Sequence, residues 1–411
     1  MFIEGIWSDD HSIFKFLRGL DLDLFLSKPQ FNHLTAFLNH MTRESYDGKI
    51  SNVKHRHRTS LGRFLNKSQW ECDAISTHLQ SYITSYIYNR SQSTGEPVYV
   101  SIDDTTCVKT KPSSQASHPI QGCGWHFSHV AKRQVYGHQF VAVVLSCDGI
   151  NLPYQLIPYE KDKASKIELV QQILKTLPNP PLKGYFLADS WYTCTSLLTL
   201  AHNKGFAYLW AVKTNRVIFP KGHRPKGIQL KGFAHQLNLK DLDLVTVGST
   251  QYYTYTYEGK IKGGELVKII LSWPKKTVFN EKTLRCFISQ DKQLSAKQIL
   301  KHYTKRWPIP YQWRKYASHG RWPIETFFRD SKQSFGLANY QIRTLKGIRR
   351  LMLLIQLVYL YIHQKKTNHQ SFGETWRRHQ IECYRDVIKF VHDKTRHGMN
   401  LSSIFEMLKV A

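Results

Sequence analysis

The order of apolar segments between residues 98 and 212 is the feature that most restricts the fold of this chain. Short runs rich in β-branched and aromatic residues predict strands, and runs with apolar residues three and four positions apart predict helices. In chain order, the predicted elements are strands at 98–103 and 134–145 and within 150–159, a helix at 167–177, a strand at 184–189, a helix at 196–205 and a strand at 206–212. The strand–helix–strand units at the end of this series indicate parallel neighbours. The sequence therefore predicts an α/β fold with a mixed sheet.

This order of elements is that of a ribonuclease-H-like (RNase H-like) core, and the segments around it predict additions to it. Leu34, Phe37, Leu38 and Met41 have helical spacing, residues 251–273 alternate in the manner of strands, and helical spacing returns after 295. The fold class is thus an RNase H-like mixed sheet with flanking helices, interrupted by a β-rich insertion. The predicted organisation is a helical region at 1–95, the first part of the core at 96–213, the insertion at 214–290, the second part of the core at 291–365, and a helical C-terminal region at 366–411.

A formal net charge of +28 indicates a polyanionic partner. Nucleic acid is the partner we favour, because each neutralised phosphate releases a counterion, and an anionic membrane surface is the alternative. The most apolar run, 351–362, is too short to span a bilayer and contains Gln356. The first residues do not resemble a secretory signal, and the seven scattered cysteines form no CxxC pair. We expect a reduced, cytoplasmic protein that binds nucleic acid and no membrane.

The basic segment 54–58 precedes a predicted helix that Thr59 and Ser60 can cap. Two short helices with a basic approach suit contact with DNA, and Arg58 is the residue that we expect to make it. A helical bundle with a solvated basic face is the alternative. We therefore interpret residues 1–95 as a DNA-binding region.

Four carboxylates occupy positions where enzymes of this fold class build their sites. Asp103 and Asp104 end the first core strand, Asp189 ends the fourth, and Glu325 opens a predicted helix. Three carboxylates brought together would repel one another unless divalent cations neutralised them. Two Mg²⁺ ions, or Mn²⁺, suit such an oxygen-only set and can activate a water or a 3′-OH at a phosphodiester. A turn former or a helix cap is the ordinary alternative for any one of these acids.

The motifs that contain these acids resemble those of the DDE transposases of bacterial insertion sequences, in the branch whose signature is Tyr-x2-Arg-x3-Glu-x6-Lys. Arg321, Glu325 and Lys332 match the spacing of that signature. SIDDTT and FLADSWY resemble the family's first and second Asp motifs, and a β-rich insertion between the second Asp and the Glu is a feature of the branch. The resemblance covers residues 97 to 365.

The resemblance implies a role for each matching residue. Asp104, Asp189 and Glu325 would form the metal-binding triad, with Asp103 as the rival for the first position because Asp-x-Thr fits either register. Arg321 and Lys332 would hold phosphates of the transposon end, and an aromatic residue of the insertion, here Trp273, would stack on a base flipped at the cleaved end. It further implies two Mg²⁺ or Mn²⁺ ions, terminal inverted repeats and target DNA as partners, and a homodimer in the synaptic complex. A bacterial protein of this kind would associate with the nucleoid when bound to DNA.

One position departs from the signature, because Ser318 stands where the Tyr is expected. Fifteen residues upstream, Tyr303 and Arg306 reproduce the first half of the motif, but Pro310 stands at its catalytic position and cannot bind a metal. We expect Tyr303 and Arg306 to contact the DNA, and their displacement from it is the alternative. The repeat of RWPI at 306–309 and 321–324 indicates a local insertion or duplication. The expected function is metal-dependent cleavage and strand transfer of a mobile element's ends. The alternatives are a catalytically impaired DNA-binding descendant and an RNase H-like nuclease that acts on RNA.

Overall fold

The N-terminal part of the chain is helical, as the sequence predicts. The computed structural model describes residues 11–53, 56–128, 131–220, 227–261, 266–304, 323–367 and 370–408. The first four helices are α1 (His11–Gly19), α2 (Lys28–Arg43), α3 (Arg58–Asn66) and α4 (Cys72–Thr94). The four apolar residues that predicted a helix at 34–41 all lie buried on α2. Gly95 ends α4 with a φ of 72°, a left-handed conformation that glycine adopts without strain.

The predicted core strands are confirmed, together with one short strand that was not predicted. The elements are β1 (Val98–Val108), β2 (Gly124–Ser128), β3 (Arg133–Cys147), β4 (Ile150–Tyr159), α5 (Lys166–Thr176), β5 (Gly184–Ala188), α6 (Thr195–Asn203) and β6 (Phe206–Val212). The spatial order is β4-β3-β1-β5-β6, with β3 antiparallel to β1 and β4, and with β5 parallel to β1 and β6. Three antiparallel strands followed by two parallel ones form the RNase H-like sheet that the sequence predicts.

The β-rich segment continues this sheet. It comprises β7 (Val217–Pro220), β8 (Ile228–Gln229), α7 (Leu230–Ala234), β9 (Asp243–Val247), β10 (Thr250–Ile261), β11 (Leu266–Pro274) and β12 (Arg285–Ser289). The last of these strands, β12, pairs antiparallel with β6, so the described strands form one sheet of twelve. The alternating pattern at 251–273 predicted β10 and β11, but it could not show that they extend the core sheet.

Helices complete the fold and cover the sheet. They are α8 (Ala296–Tyr303), α9 (Pro323–Ser334), α10 (Leu345–Gln364), α11 (Phe372–Arg396) and α12 (Leu401–Leu408). Helix α10 is buried over nearly its whole length because it lies between β4 and the helices α2, α3 and α4. Its apolar character is therefore that of a core helix. In the part of the chain that the structure describes, no helix is long and apolar enough to cross a bilayer.

Candidate active site

The pairing of β1 with β5 brings two acidic residues to the same level of the sheet. Ser101 lies opposite Leu187 in this parallel pair. The same register, continued by two residues, places Asp103 level with Asp189. Because side chains two positions apart on a strand share a face, both carboxylates point to the same side of the sheet. They also line one cavity of about 640 Å³.

This cavity lies beside the middle of β1, at the ends of β5 and β6, and next to β12. Because β1 continues to Val108, the prediction that Asp103 and Asp104 end this strand was wrong. Its lining comprises Asp103, Asp189, Ser190, Ala211, Val212, Lys213, Thr214, Asn215, Leu284, Arg285, Cys286, Phe287 and Tyr303. The carboxyl ends of parallel strands are the usual place for a ligand site in an open α/β sheet. Lys213 and Arg285 add cationic side chains to the two carboxylates, so the cavity can receive both metal ions and phosphate groups.

Backbone N–H groups bind one oxygen of each of these carboxylates. Asp103 Oδ1 accepts a hydrogen bond of 2.8 Å from the N–H of Asp104. Asp189 Oδ1 accepts hydrogen bonds from the N–H groups of Trp191 at 2.8 Å and Tyr192 at 3.3 Å. An Asp in this position stabilises the turn that follows its strand. The turn thus fixes the orientation of the Asp189 side chain at the cavity.

Asp104 points to the opposite face of β1 and is not among the residues that line the cavity. Its Oδ2 accepts a hydrogen bond from Lys166 Nζ at 2.8 Å, and its Oδ1 accepts one from the Tyr192 hydroxyl at 3.1 Å. The side-chain amide of Gln139 also donates to Oδ2. Three donors, one of them cationic, therefore surround Asp104 and balance its charge.

The direction of α9 can be read from two lysine side chains. Lys332 Nζ donates to the Thr106 carbonyl of β1 at 3.0 Å. Lys109 Nζ, just beyond β1, donates to the carbonyls of Ala338 and Tyr340 at 2.9 Å each. Residues later along β1 and just beyond it therefore contact residues later in the segment that begins with α9. Residues earlier in β1 contact residues earlier in that segment. Helix α9 and β1 run side by side in the same sense.

This arrangement directs Glu325 toward the level of Asp103 on β1. Glu325 lies in the first turn of α9, seven residues before Lys332, a rise of about 10 Å along the helix. Asp103 lies three residues before Thr106, also about 10 Å along the strand. The distance from Lys332 back to Glu325 and the distance from Thr106 back to Asp103 are about equal, and both run in the same direction. Glu325 is half-buried and is not among the residues that line the cavity.

Tyr340, which follows α9, shows which face of β1 this segment covers. Its hydroxyl bonds His138 Nδ1 at 2.6 Å, and His138 lies opposite Cys107 of β1. Cys107 is four residues after Asp103 and shares its face of the strand. Burial raises the pKa of the Cys107 thiol to about 11, against the charges of Lys332 and Lys109 nearby. The segment that carries Glu325 thus meets the face of Asp103 and not that of Asp104.

The predicted DNA-contacting residues have different placements. Arg58 is exposed at the start of α3, and Tyr303 is buried at the end of α8, where it lines the cavity and packs on Phe287. Trp273 is only 2% exposed, and its indole N–H donates to the Asn280 carbonyl, so it offers no ring face to a base in this structure. Arg306 and Arg321, with the rest of 305–322, lie outside the described residues.

The donor set of the cavity suits a hard divalent cation. Asp103 and Asp189 supply carboxylate oxygens, and no histidine is among the lining residues. Oxygen ligands of this kind favour Mg²⁺ or Mn²⁺. Within the described ranges, however, no three His, Cys, Asp or Glu side chains lie close enough together to hold one metal ion. The structure therefore pairs two of the predicted carboxylates without assembling a three-carboxylate cluster.

Several residues of this region were not predicted from the sequence. Lys166, Tyr192 and Gln139 bind Asp104, and Lys213 and Arg285 line the cavity. Lys166 follows Ser165, which caps α5, and this capping pattern is visible in the sequence. Which lysine meets which acid depends on how α5 packs against β1, and no local pattern encodes that.

A comparison with protein-family models gives one match. Residues 32–232 match the family model described as DDE superfamily endonuclease. This part of the chain is therefore similar to the DDE superfamily of endonucleases. The match spans slightly less than half of the 411 residues, and it includes Asp103, Asp104 and Asp189 and ends before Glu325.

The other comparisons add little to this family match. A solved structure of a piggyBac transposase synaptic complex with hairpin DNA resembles the chain with a TM-score of 0.42 and 11% identity, over 92% of this chain and 78% of that one. This similarity is too low to transfer any site or activity to the present chain. No curated protein matches the sequence.

Proposed function

We propose that this chain is a transposase of the DDE superfamily. It binds the terminal inverted repeats of a mobile element, cuts the DNA at the ends and joins the 3′-OH ends to target DNA. The observation that supports this most is the level placement of Asp103 and Asp189 on one face of the sheet, at a shared cavity. The charge of +28 supports DNA as the partner.

The first carboxylate of the proposed site is Asp103, and not Asp104. Asp103 shares the cavity with Asp189, whereas Asp104 is bound by Lys166, Tyr192 and Gln139 on the other face. A carboxylate that already has a cationic partner is a weaker metal ligand, because the ion would have to displace that partner. Glu325, directed toward the level of Asp103 on β1 by α9, is the proposed third carboxylate.

Asp103, Asp189 and Glu325 would hold two Mg²⁺ or Mn²⁺ ions, which activate a water or a 3′-OH and stabilise the leaving oxygen at a phosphodiester. Lys213 and Arg285 would orient the phosphates of the bound strand from the other side of the cavity. Lys332, through the Thr106 carbonyl, would keep α9 fixed on β1. Tyr303 would form one wall of the site, beside Phe287.

The proposal extends to the assembly. Two copies would act together in a synaptic complex, each with one DNA end, and Arg58 would contact DNA from the exposed start of α3. Arg321 would contact a phosphate of the transposon end, and Arg306 would also contact the DNA. The protein would act in the bacterial cytoplasm and associate with the nucleoid when it is bound to DNA.

A cleavage assay tests this function. The substrate is a plasmid that carries the DNA flanking the gene on both sides, incubated with Mg²⁺ or with EDTA. We expect cuts at the repeat ends with Mg²⁺ only, and we expect Glu325→Gln to lower cutting by orders of magnitude while the DNA affinity survives, because Gln keeps the shape and loses the charge. Affinity should fall steeply with salt, with a slope near −0.9 per phosphate contacted.

The same assay separates the alternatives. A chain that binds the repeats but cuts nothing in Mg²⁺ or Mn²⁺ is a catalytically impaired descendant of a transposase. A chain that cuts RNA without any preference for repeat ends is a general RNase H-like nuclease. Either result would refute the proposed function.

A further inference from the structure

The strand β2 presents aromatic side chains to solvent. Trp125 is 52% exposed and Phe127 is 49% exposed, while His126 between them is buried. In an antiparallel strand with one face in water, the outward positions are normally polar. Exposed apolar groups that cluster in this way mark interaction sites more often than structural ones.

Sheet register places these aromatic residues on the face of the proposed active site. Trp125 lies opposite Tyr136 on β3, and Asp103 lies opposite Ala142. Tyr136 and Ala142 are six residues apart, an even number, so their side chains share a face. The exposed aromatic residues are therefore about 20 Å along β3 from the proposed catalytic carboxylate, on the same side of the sheet. Tyr340 covers His138 and Phe140 between them, so a strand that joins the two places would pass over this segment.

Cations surround the aromatic residues. Lys111 Nζ lies 5.9 Å from the centroid of the Trp125 ring, and the ring of Tyr136 meets that of Trp125 edge to face at 5.7 Å. Lys132 and Arg133, at the turn between β2 and β3, are also exposed. Acidic side chains beside the rings would suit a basic peptide. The charged residues named here are all cationic, and cationic side chains suit an anionic partner. Together with the net charge, this composition suits a nucleic acid.

We propose that Trp125 and Phe127, with Tyr136 and Lys111, form a stacking surface for unpaired bases of a DNA strand that extends from the active site. Aromatic rings stack on bases whose faces are accessible, which those inside an intact duplex are not. The lysine would contribute both a phosphate contact and a cation–π contact. The inference rests on the proposed function, because it takes a DNA strand at the cavity as its starting point.

Equilibrium binding in EDTA tests this surface without any cleavage. The full chain is titrated onto a labelled blunt duplex and onto the same duplex with a single-stranded extension, over a range of salt concentrations. Trp125→Ala should weaken binding of the extended DNA about tenfold, the size of one lost base stack, and leave blunt-duplex binding unchanged. The salt dependence should not change, because no phosphate contact is lost. Trp125→Phe should restore most of the affinity.

Tyr384→Ala is the matched control. Tyr384 is an aromatic residue 62% exposed on α11, a helix that packs on α10 and α2. Its replacement should not change either affinity, and thermal unfolding should show that all variants are folded. Equal affinities of Trp125→Ala and the unmodified chain for the extended DNA would overturn the proposal, as would an equal loss on both DNAs. If the chain binds duplex but never cuts it, the proposed function fails while the stacking surface can still be confirmed.

Discussion

Asp103→Asn should reduce metal-dependent DNA cleavage by several orders of magnitude and leave DNA affinity nearly unchanged. Asn preserves the side-chain shape but removes the negative charge that a divalent cation requires. Asp103 lies level with Asp189 and shares its cavity, so no other residue of β1 can take its place there. Single-turnover cleavage of end DNA, with binding measured separately in EDTA, gives both quantities.

Asp104→Asn is the matched variant, because it makes the same change one residue further along β1. It removes the ion pair with Lys166 but keeps a side chain that can bond the Tyr192 hydroxyl. The Tyr192 N–H also binds Asp189, so Asp104 acts on the cavity through its neighbour. We expect a loss in cleavage much smaller than that of Asp103→Asn. If Asp104→Asn is inactive and Asp103→Asn is active, the assignment of the first carboxylate is incorrect.

Arg350→Met should lower the free energy of unfolding by about 3–5 kcal/mol. Arg350 is fully buried on α10, and its guanidinium donates to the carbonyls of Phe64, Leu65, Ser68 and Trp70. These groups lie at and just beyond the end of α3, where carbonyls have no partner within the helix. Met fills a similar volume but removes all four hydrogen bonds. The Phe64 carbonyl keeps the Trp70 indole N–H and the Trp70 carbonyl keeps the Cys72 N–H, whereas the carbonyls of Leu65 and Ser68 lose their side-chain donor. Urea unfolding at constant m value measures the change.

Arg349→Met provides the comparison at the neighbouring position. Arg349 forms an ion pair with Glu160 at 3.0 Å, with 47% of its side chain exposed. Exposed pairs of this kind contribute about 0–1 kcal/mol, so this variant should be nearly as stable as the unmodified chain. Equal losses for the two variants would show that charge, and not the capping of α3, accounts for the effect.

The sequence predicted the core strands because their apolar pattern is local. The apolar spacing within each run from 98 to 212 predicts whether that run is a strand or a helix. The order of these elements then restricts the topology to a few choices. The β2 strand was not predicted, because GWHFS is short and its outward residues are aromatic, so the alternation between apolar and polar residues is absent. The exposed aromatic residues that suggest a binding surface are therefore also the reason why this strand was not predicted.

The choice between Asp103 and Asp104 shows why the site was harder to predict than the fold. Both residues fit the sequence motif, and they differ by one position on a strand, which reverses the face. Only the register with β5 places Asp103, and not Asp104, beside Asp189. That register depends on contacts between segments about 85 residues apart, for which the local sequence has no signal.

The burial of Trp273 has a similar cause. Its position near the end of β11 was compatible with either a buried or an exposed ring. In the structure, β11 lies between β10 and β12 inside the extended sheet, and Phe279 packs against the indole. A strand in the interior of a sheet buries residues that an edge strand of the same sequence could expose.

A Mn²⁺ titration tests the central claim most directly. The electron paramagnetic resonance signal of the free ion measures how much Mn²⁺ the chain binds. The claim is that Asp103, in the middle of β1, and Asp189, just after β5, form the core of a metal site. We predict that the double variant Asp103→Asn/Asp189→Asn loses the tightest Mn²⁺ binding and that Asp104→Asn retains it. Unchanged binding in the double variant, or loss of binding in Asp104→Asn alone, would contradict the claim.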